Sequence, residues 1–191
     1  DEPQQSDAPA QVAPAPVQAM PDWAGAYGGL SFGTIAGDLD LRNFGDFTFE
    51  DGTMTGLFGG YLFQNGSWVY GGELAFANVQ DAWLVGFTDI AGAGDQMLDL
   101  KGRIGYAAGD VLVYGVLGYS MGSYDETPSG GNEWDMDGLN YGLGLDYRVN
   151  DRVSVGVEYL IRDLEGENPD GFGQTGAAEL DSLSLRAAFN F

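Results

Sequence analysis

The chain contains no histidine and no cysteine, and only 7 of its 191 residues are Lys or Arg against 29 Asp and Glu. Each shortage excludes a class of function. Without His or Cys there is no Ser-His-Asp, Cys-His or Asp-His catalytic arrangement and no soft metal centre. A formal net charge of -22 argues against nucleic acid as a partner, because phosphate binding needs clustered cations. Apolar runs are also short. A membrane-spanning helix needs about 20 consecutive apolar residues. The longest candidate, Val111-Leu-Val-Tyr-Gly-Val-Leu-Gly-Tyr119, is about half that and is interrupted by Gly. No signal peptide is visible at the N-terminus, and the chain is expected to be a mature form.

What is abundant is glycine and aromatic residues, with 32 Gly, 11 Phe, 10 Tyr and 4 Trp. The C-terminus shows how they are used. Leu183, Leu185, Ala187, Phe189 and Phe191 alternate with Ser184, Arg186, Ala188 and Asn190, a period-two strand with one apolar and one polar face. The same alternation marks Trp68–Asn78, Leu98–Tyr106, Leu139–Tyr147 and Val153–Ile161. Three further segments, Trp23–Ala36, Thr53–Gln64 and Val111–Gly122, are Gly-rich. Leu30 and Phe32 face outward in the first of these, and the facing of the second and fifth strands in chain order stays open. A soluble sandwich also alternates, but here its inner faces would carry Asp, Lys and Arg while its surface carried Leu, Tyr and Val.

Connections complete the reading. Gln64-Asn-Gly-Ser67, Ala107-Ala-Gly-Asp110 and Val149-Asn-Asp-Arg152 are tight hairpin turns. Long polar loops over 37–52, 79–95, 123–137 and 163–181 alternate with them. Closed β-barrels are the alternative to helices in lipid, since closure satisfies every backbone polar group. The expected fold is all-β: an eight-stranded antiparallel transmembrane barrel, an up-and-down meander over residues 22–191. Residues 1–21, rich in Ala, Pro and Gln, are expected to be a disordered, flexible linker. Short turns and long loops imply a bacterial outer membrane, with loops extracellular and termini periplasmic. Trp68, Tyr70, Tyr106, Tyr147, Phe189 and Phe191 gather near the turn end, as an interfacial girdle does.

Charge is partitioned along this pattern. Of the 29 acids, 19 lie in the four loops, which hold one cation, Arg42. Lys101, Arg103, Arg148, Arg162 and Arg186 fall at inward strand positions, as do Glu73, Asp99, Asp146 and Glu158. The interior of an eight-stranded barrel is only wide enough for side chains, and buried charges must pair. These nine residues are therefore expected to form a salt-bridge network across the lumen, with Gly102, Gly142, Gly144 and Gly156 making room beside them.

Trp23-Ala-Gly-Ala-Tyr-Gly-Gly-Leu30, Gly60-Tyr-Leu-Phe-Gln64, Trp68-Val-Tyr-Gly-Gly-Glu73, Lys101-Gly-Arg-Ile-Gly-Tyr106 and the terminal Phe191 occur in that order. In these motifs the chain resembles the small outer-membrane barrels widespread in alphaproteobacteria, the "porin family" or opacity-protein-like group. The resemblance covers residues 22–191 and implies a Gram-negative outer-membrane protein without an assigned reaction. It also implies that Phe191 is the signal read by the barrel assembly machinery.

Two motif look-alikes fail their context. Gly171-Phe-Gly-Gln-Thr-Gly176 does not follow a strand or open a helix. Glu133-x-Asp135-x-Asp137-Gly138 would place Gly144 where a Ca²⁺ loop needs Glu. No cofactor is expected, though the loop carboxylates Glu133, Asp135, Asp137, Asp163, Glu165 and Glu167 leave loose Ca²⁺ or Mg²⁺ binding open. The functional expectation is a non-enzymatic barrel for envelope integrity and surface presentation, in contact with outer-membrane lipids and lipopolysaccharide. The linker leaves room for contact with peptidoglycan or a periplasmic partner. A narrow cation-preferring porin is the first alternative. The second is a loop-based adhesin or receptor using Trp83, Phe87, Trp134 and Phe172.

Overall fold

The computed structural model describes residues 22–41, 45–80, 83–84, 95–125, 133–167 and 175–191. Their backbone forms eight long strands: β1 (Gly25–Leu41), β2 (Gly45–Asn65), β3 (Trp68–Gln80), β4 (Asp95–Ala108), β5 (Val111–Asp125), β6 (Glu133–Arg148), β7 (Val153–Glu167) and β8 (Thr175–Asn190). Each pairs antiparallel with its sequence neighbour. β1 also pairs with β8, from Tyr27↔Asn190 to Leu41↔Gly176, so the ring is closed and no barrel strand has a free edge. The two-residue segment Trp83–Leu84 adds a short rung to β2 opposite Glu50 and Phe49.

The three tight turns owe their shape to particular residues. Gly66 and Gly109 adopt positive φ of 62° and 63°, a region that costs a side-chain-bearing residue energy. In the third turn the Asn150 side-chain oxygen accepts from the backbone N–H of Arg152 and Val153, at 2.9 and 3.0 Å. This is an Asx turn that fixes the chain reversal without glycine.

At the other end the strands run further than hydropathy predicts. β1 and β2 stay paired through Leu41↔Gly45, and β7 and β8 through Glu167↔Thr175, well inside the segments expected to be loops. The reason is physical. Apolar alternation stops where lipid contact stops, whereas the hydrogen-bonded ladder needs no apolar side chain to continue. The β1–β2 ladder does shift register between Ile35 and Gly37.

Outward positions form an apolar belt. Leu30, Phe32, Leu57, Tyr61, Leu74, Leu100, Ile104, Leu117, Leu143 and Leu185 are each about half exposed or more. At the tight-turn end the rings of Trp68 and Tyr106 meet edge-on at 5.6 Å, and Phe63 stacks near Tyr70 at 5.9 Å. The facing left open for β2 and β5 is now visible. Met54, Phe58 and Leu62 of β2 point inward, as do Leu112, Tyr114, Val116 and Ser120 of β5. Of the glycines expected beside the lumen charges, Gly102 instead faces outward, because it alternates with the buried Lys101 and Arg103.

Candidate functional site

The buried charges sit where strand alternation puts them. Lys101 and Arg103 are two residues apart on β4, hence on one face, and Glu73 on β3 is the direct cross-strand partner of Lys101. Glu158 comes from β7, Arg186 from β8 and Asp146 from β6. All are buried, and they meet in the middle of the lumen.

Glu73 is the hub. Its Oε1 lies 2.6 Å from Lys101 Nζ and accepts from Arg186 Nη1 at 3.0 Å. Its Oε2 accepts from Arg186 Nη2, from Arg103 Nη1 at 3.1 Å and from the Tyr27 hydroxyl at 2.7 Å. Glu158 is the second anchor. Lys101 Nζ donates to its Oε1 at 2.6 Å, while Arg186 Nη1 and the Tyr114 hydroxyl each donate to Oε2 at 3.1 Å. Arg103 Nη2 reaches Asp146 Oδ2 at 2.6 Å. The guanidinium of Arg103 lies 3.7 Å from the Tyr114 ring centroid, and that of Arg186 lies 3.8 Å from the Phe58 centroid. Three cations and three carboxylates are thus locked by charge-assisted bonds and by aromatic faces.

A separate pair lies nearer the long-loop end. Arg162 Nε and Nη2 donate to the two oxygens of Asp99 at 3.1 and 2.7 Å. Ser120 donates to Asp99 at 2.6 Å, Asn140 donates to Ser120 at 2.8 Å, and Arg162 Nη1 reaches Ser182 at 2.8 Å. Beyond this pair the lumen turns apolar. Ile35, Met54, Ala77, Val79, Met97 and Leu164 form a buried cluster against which Met136 and Leu180 pack.

Arg148 departs from the expected network. Among the described residues it makes no ion pair. Its Nη2 donates to the backbone carbonyl of Asp22 at 2.6 Å, and its guanidinium stacks 4.6 Å from the Trp23 ring centroid. The cause is its level in the barrel. Arg148 is the last residue of β6, beside the tight turns, where the N-terminal entry of the chain fills the lumen instead of a carboxylate.

Several members of the site went unread in the sequence. Tyr27 was legible in principle, since it shares an inward parity opposite to Leu30 and Phe32. Asn140 was legible in the same way, sharing its inward parity with Asp146, whereas Tyr114, Ser120 and Ser182 were not, because short polar or aromatic residues occur on either face of a strand. Gly144 lets Tyr114 in: a Cβ there would collide with the phenol ring. Gly156 makes the same allowance for the Asp146 carboxylate.

Phe191 stands outside the lumen. Its backbone N–H donates to the Ala26 carbonyl at 2.9 Å, its ring meets Phe189 edge-on at 5.3 Å, and the residue is 84% exposed. Among the loop carboxylates, Asp137, Asp163 and Glu165 are exposed, and Asp137 accepts from the Tyr119 hydroxyl. No group of three carboxylates placed to hold a metal occurs among the described residues. The 1–21 linker and the side chains of Arg42, Trp83, Phe87, Glu133, Trp134, Asp135, Glu167 and Phe172 lie outside them.

The sequence matches the model of the outer membrane protein beta-barrel domain over residues 8–191. It is 28% identical over 186 residues to the 25 kDa outer-membrane immunogenic protein of Brucella canis, covering 93% of this chain and 84% of that protein. A 22 kDa outer membrane protein of Rhizobium leguminosarum bv. viciae is 27% identical over 162 residues, covering 82% of this chain and 71% of that protein. Among solved structures, OprG of Pseudomonas aeruginosa aligns with a TM-score of 0.53 at 18% identity, over 88% of this chain and 96% of that one. Ail of Yersinia pestis aligns at 0.52 and 17% identity, over 87% and 99%. These two likenesses concern the fold.

Proposed function

This chain belongs to the family of the outer membrane protein beta-barrel domain, and from that premise we propose that it is a non-enzymatic wall element of the Gram-negative outer membrane, its lumen plugged by its own side chains. The observation that carries this reading is Glu73, which is 2% exposed and gathers Lys101, Arg103 and Arg186 from two other strands. With Glu158 on the far wall holding Lys101 and Arg186 as well, the ion pairs tie β3, β4, β7 and β8 together across the barrel axis. A conducting pore would line its wall with charges that leave the axis free. Here the cations and carboxylates consume one another.

The same arrangement argues against catalysis. The central carboxylates are saturated by cations and hydroxyls, which leaves no poised base, and the chain has no His or Cys. Placing the tight turns in the periplasm and the long acidic ends outside follows the usual order of such barrels. Phe191 then serves the assembly machinery, the belt contacts lipid and lipopolysaccharide, and divalent cations screen the acidic outer end. The role is envelope integrity and surface presentation.

Planar-bilayer recording of the purified wild-type barrel tests this. Little or no steady conductance is expected. Large, stable currents would overturn the plug in favour of a narrow cation-preferring pore.

A further inference from the structure

Charge inside the lumen does not balance. Among the described residues the buried charges are five cations, Lys101, Arg103, Arg148, Arg162 and Arg186, and four carboxylates, Glu73, Asp99, Asp146 and Glu158. The other cations engage all four carboxylates, so the surplus falls on Arg148. Arg148 is only 9% exposed, and one carbonyl bond with an indole face offsets only part of the cost of taking a cation out of water. Its Nε is buried and has no hydrogen-bond partner among the described residues, and the same holds for Nε of Arg103.

A small cavity lies at this level of the barrel, with room for about one water-sized occupant. The strand register accounts for it. Arg148, Ser154 and Ala188 form one inward row across β6, β7 and β8, and Asp146, Gly156 and Arg186 form the next. Ser154 and Ala188 are short, which leaves a hollow between the long side chains of the two rows. Arg103, Arg186, Ser154 and Trp23 line it, and Trp23 is the ring that the Arg148 guanidinium covers. The carboxylate on its wall, Asp146, is already bonded to Arg103 Nη2 at 2.6 Å. Half-buried Ala188 and Asn190 complete the wall on the tight-turn side.

We propose that this hollow is a binding site for one small monovalent anion of chloride size, which neutralises the surplus cation. The groups placed to hold it are the Nε–H of Arg103, the guanidinium of Arg148 and the hydroxyl of Ser154, all of them donors to an anion. A water molecule would satisfy the same donors but leave the surplus charge uncompensated in a desolvated site, which is why the anion is favoured. Size sets the other limit, because sulfate and larger anions exceed the room. The site goes beyond the plugged-lumen reading and does not depend on it. The hub's carboxylates and cations are bonded to one another without the anion, and a ligand from the tight-turn side needs no path through the barrel.

Chloride dependence of unfolding tests it, with the full chain folded in detergent micelles. Chloride is exchanged for gluconate, an anion too large for the hollow, at constant ionic strength, so that screening of the acidic surface stays the same. An anion bound by the folded state alone raises the folded-to-unfolded ratio in proportion to its concentration above Kd. For wild type, a tenfold rise in chloride in that range should therefore raise the ratio about tenfold, the signature of a single anion. Arg148→Met, which removes the surplus cation, should be insensitive to chloride. Ala188→Val, which fills the hollow and keeps Arg148, should be insensitive too, and it carries the test if Arg148→Met does not fold. Ser184→Ala, away from the hollow, should respond like wild type. A wild-type ratio that ignores chloride would overturn the site. Chloride dependence that survives in folded Arg148→Met or Ala188→Val would also overturn it, because the anion would then bind elsewhere. Bilayer recording keeps this result apart from the plug. A silent wild type without chloride dependence loses the site alone, and a conducting wild type with it loses the plug alone.

Discussion

Arg186 and Glu73, 113 residues apart in sequence, meet inside the barrel as a fork on a fork, each guanidinium amine bonded to a different carboxylate oxygen. The pair joins β8 to β3 across the lumen and not around the wall, so it depends on the barrel being closed. Glu73 also binds Lys101, Arg103 and Tyr27, and no other buried acid here holds as many partners. Removing Glu73 therefore takes a carboxylate from three buried cations at once, leaving Lys101 and Arg186 to share Glu158 and Arg103 with Asp146 alone. Glu73→Ala should destabilise the folded barrel by about 3–5 kcal/mol or more, the range for a broken buried pair. Asp146→Ala, which frees a single bond of Arg103 nearer solvent, should cost distinctly less. Urea unfolding in micelles compares them, and equal midpoints would mean that Glu73 is no hub.

The Asp99–Arg162 pair offers a cleaner contrast, because among the described residues no hydrogen bond or ion pair joins it to the hub. Asp99→Ala leaves Arg162, itself 2% exposed, without its carboxylate. A loss of about 3–5 kcal/mol is expected. Replacing both partners by apolar residues of similar size, Asp99→Leu with Arg162→Met, should recover most of that loss, since neither desolvated charge remains. If the double variant unfolds as easily as the single one, the pair specifies packing that an apolar filling cannot reproduce. Unfolding midpoints of the three proteins decide it.

How much of this could be read beforehand depended on whether a strand's two faces differ. On β6, Leu139, Tyr141, Leu143 and Leu145 face lipid while Asn140 and Asp146 face inward, so alternation shows in the sequence. On β5 the inner face carries Leu112, Tyr114 and Val116 opposite the outer Val113 and Leu117, and two apolar faces erase the period. β2 fails for the same reason at Phe58 and Leu62. The lumen charges were legible because only pairing makes a buried Arg or Glu tolerable. Arg148 was the exception, since its partners are a backbone carbonyl and an indole face, which no charge count can foresee.

Gly144 gives a steric test of the same core. Its missing side chain is what lets the Tyr114 ring lie flat beneath the Arg103 guanidinium. Gly144→Ala should push that ring aside, weaken its bond to Glu158 and cost about 1–3 kcal/mol, the scale of overpacking. Adding Tyr114→Phe, which trims the phenol oxygen, should relieve part of the clash. If Gly144→Ala alone unfolds like wild type, the ring has room that its contacts deny.

Phe191 allows assembly and stability to be tested separately. With its ring mostly exposed and touching Phe189, it adds little to the packing of the finished barrel. Deleting it should lower the amount of heat-modifiable, folded barrel in outer-membrane fractions of cells. The same variant refolded in detergent should unfold close to wild type. Equal folded levels in cells would remove Phe191 from the assembly step, and a large stability loss in detergent would make its role one of packing.

The last prediction concerns what would open the lumen. Counting charges alone suggests that Arg103→Ala with Arg148→Ala clears a path, since two long side chains are gone. The structure adds a second obstacle, the apolar cluster of Ile35, Met54, Val79, Met97 and Leu164 toward the long-loop end. Apolar constrictions exclude ions by shedding water, with no charge required. The double variant should therefore stay silent in planar bilayers. Adding Lys101→Ala and Arg186→Ala, which cuts the ties from Glu73 to Glu158 across the axis, together with Met97→Ala and Leu164→Ala, which thins the cluster, should permit currents, and these should prefer cations because Glu73, Glu158 and Asp146 are left without their cationic partners. Steady conductance from Arg103→Ala with Arg148→Ala alone would show that the cluster is no barrier and that the charged network seals the barrel by itself.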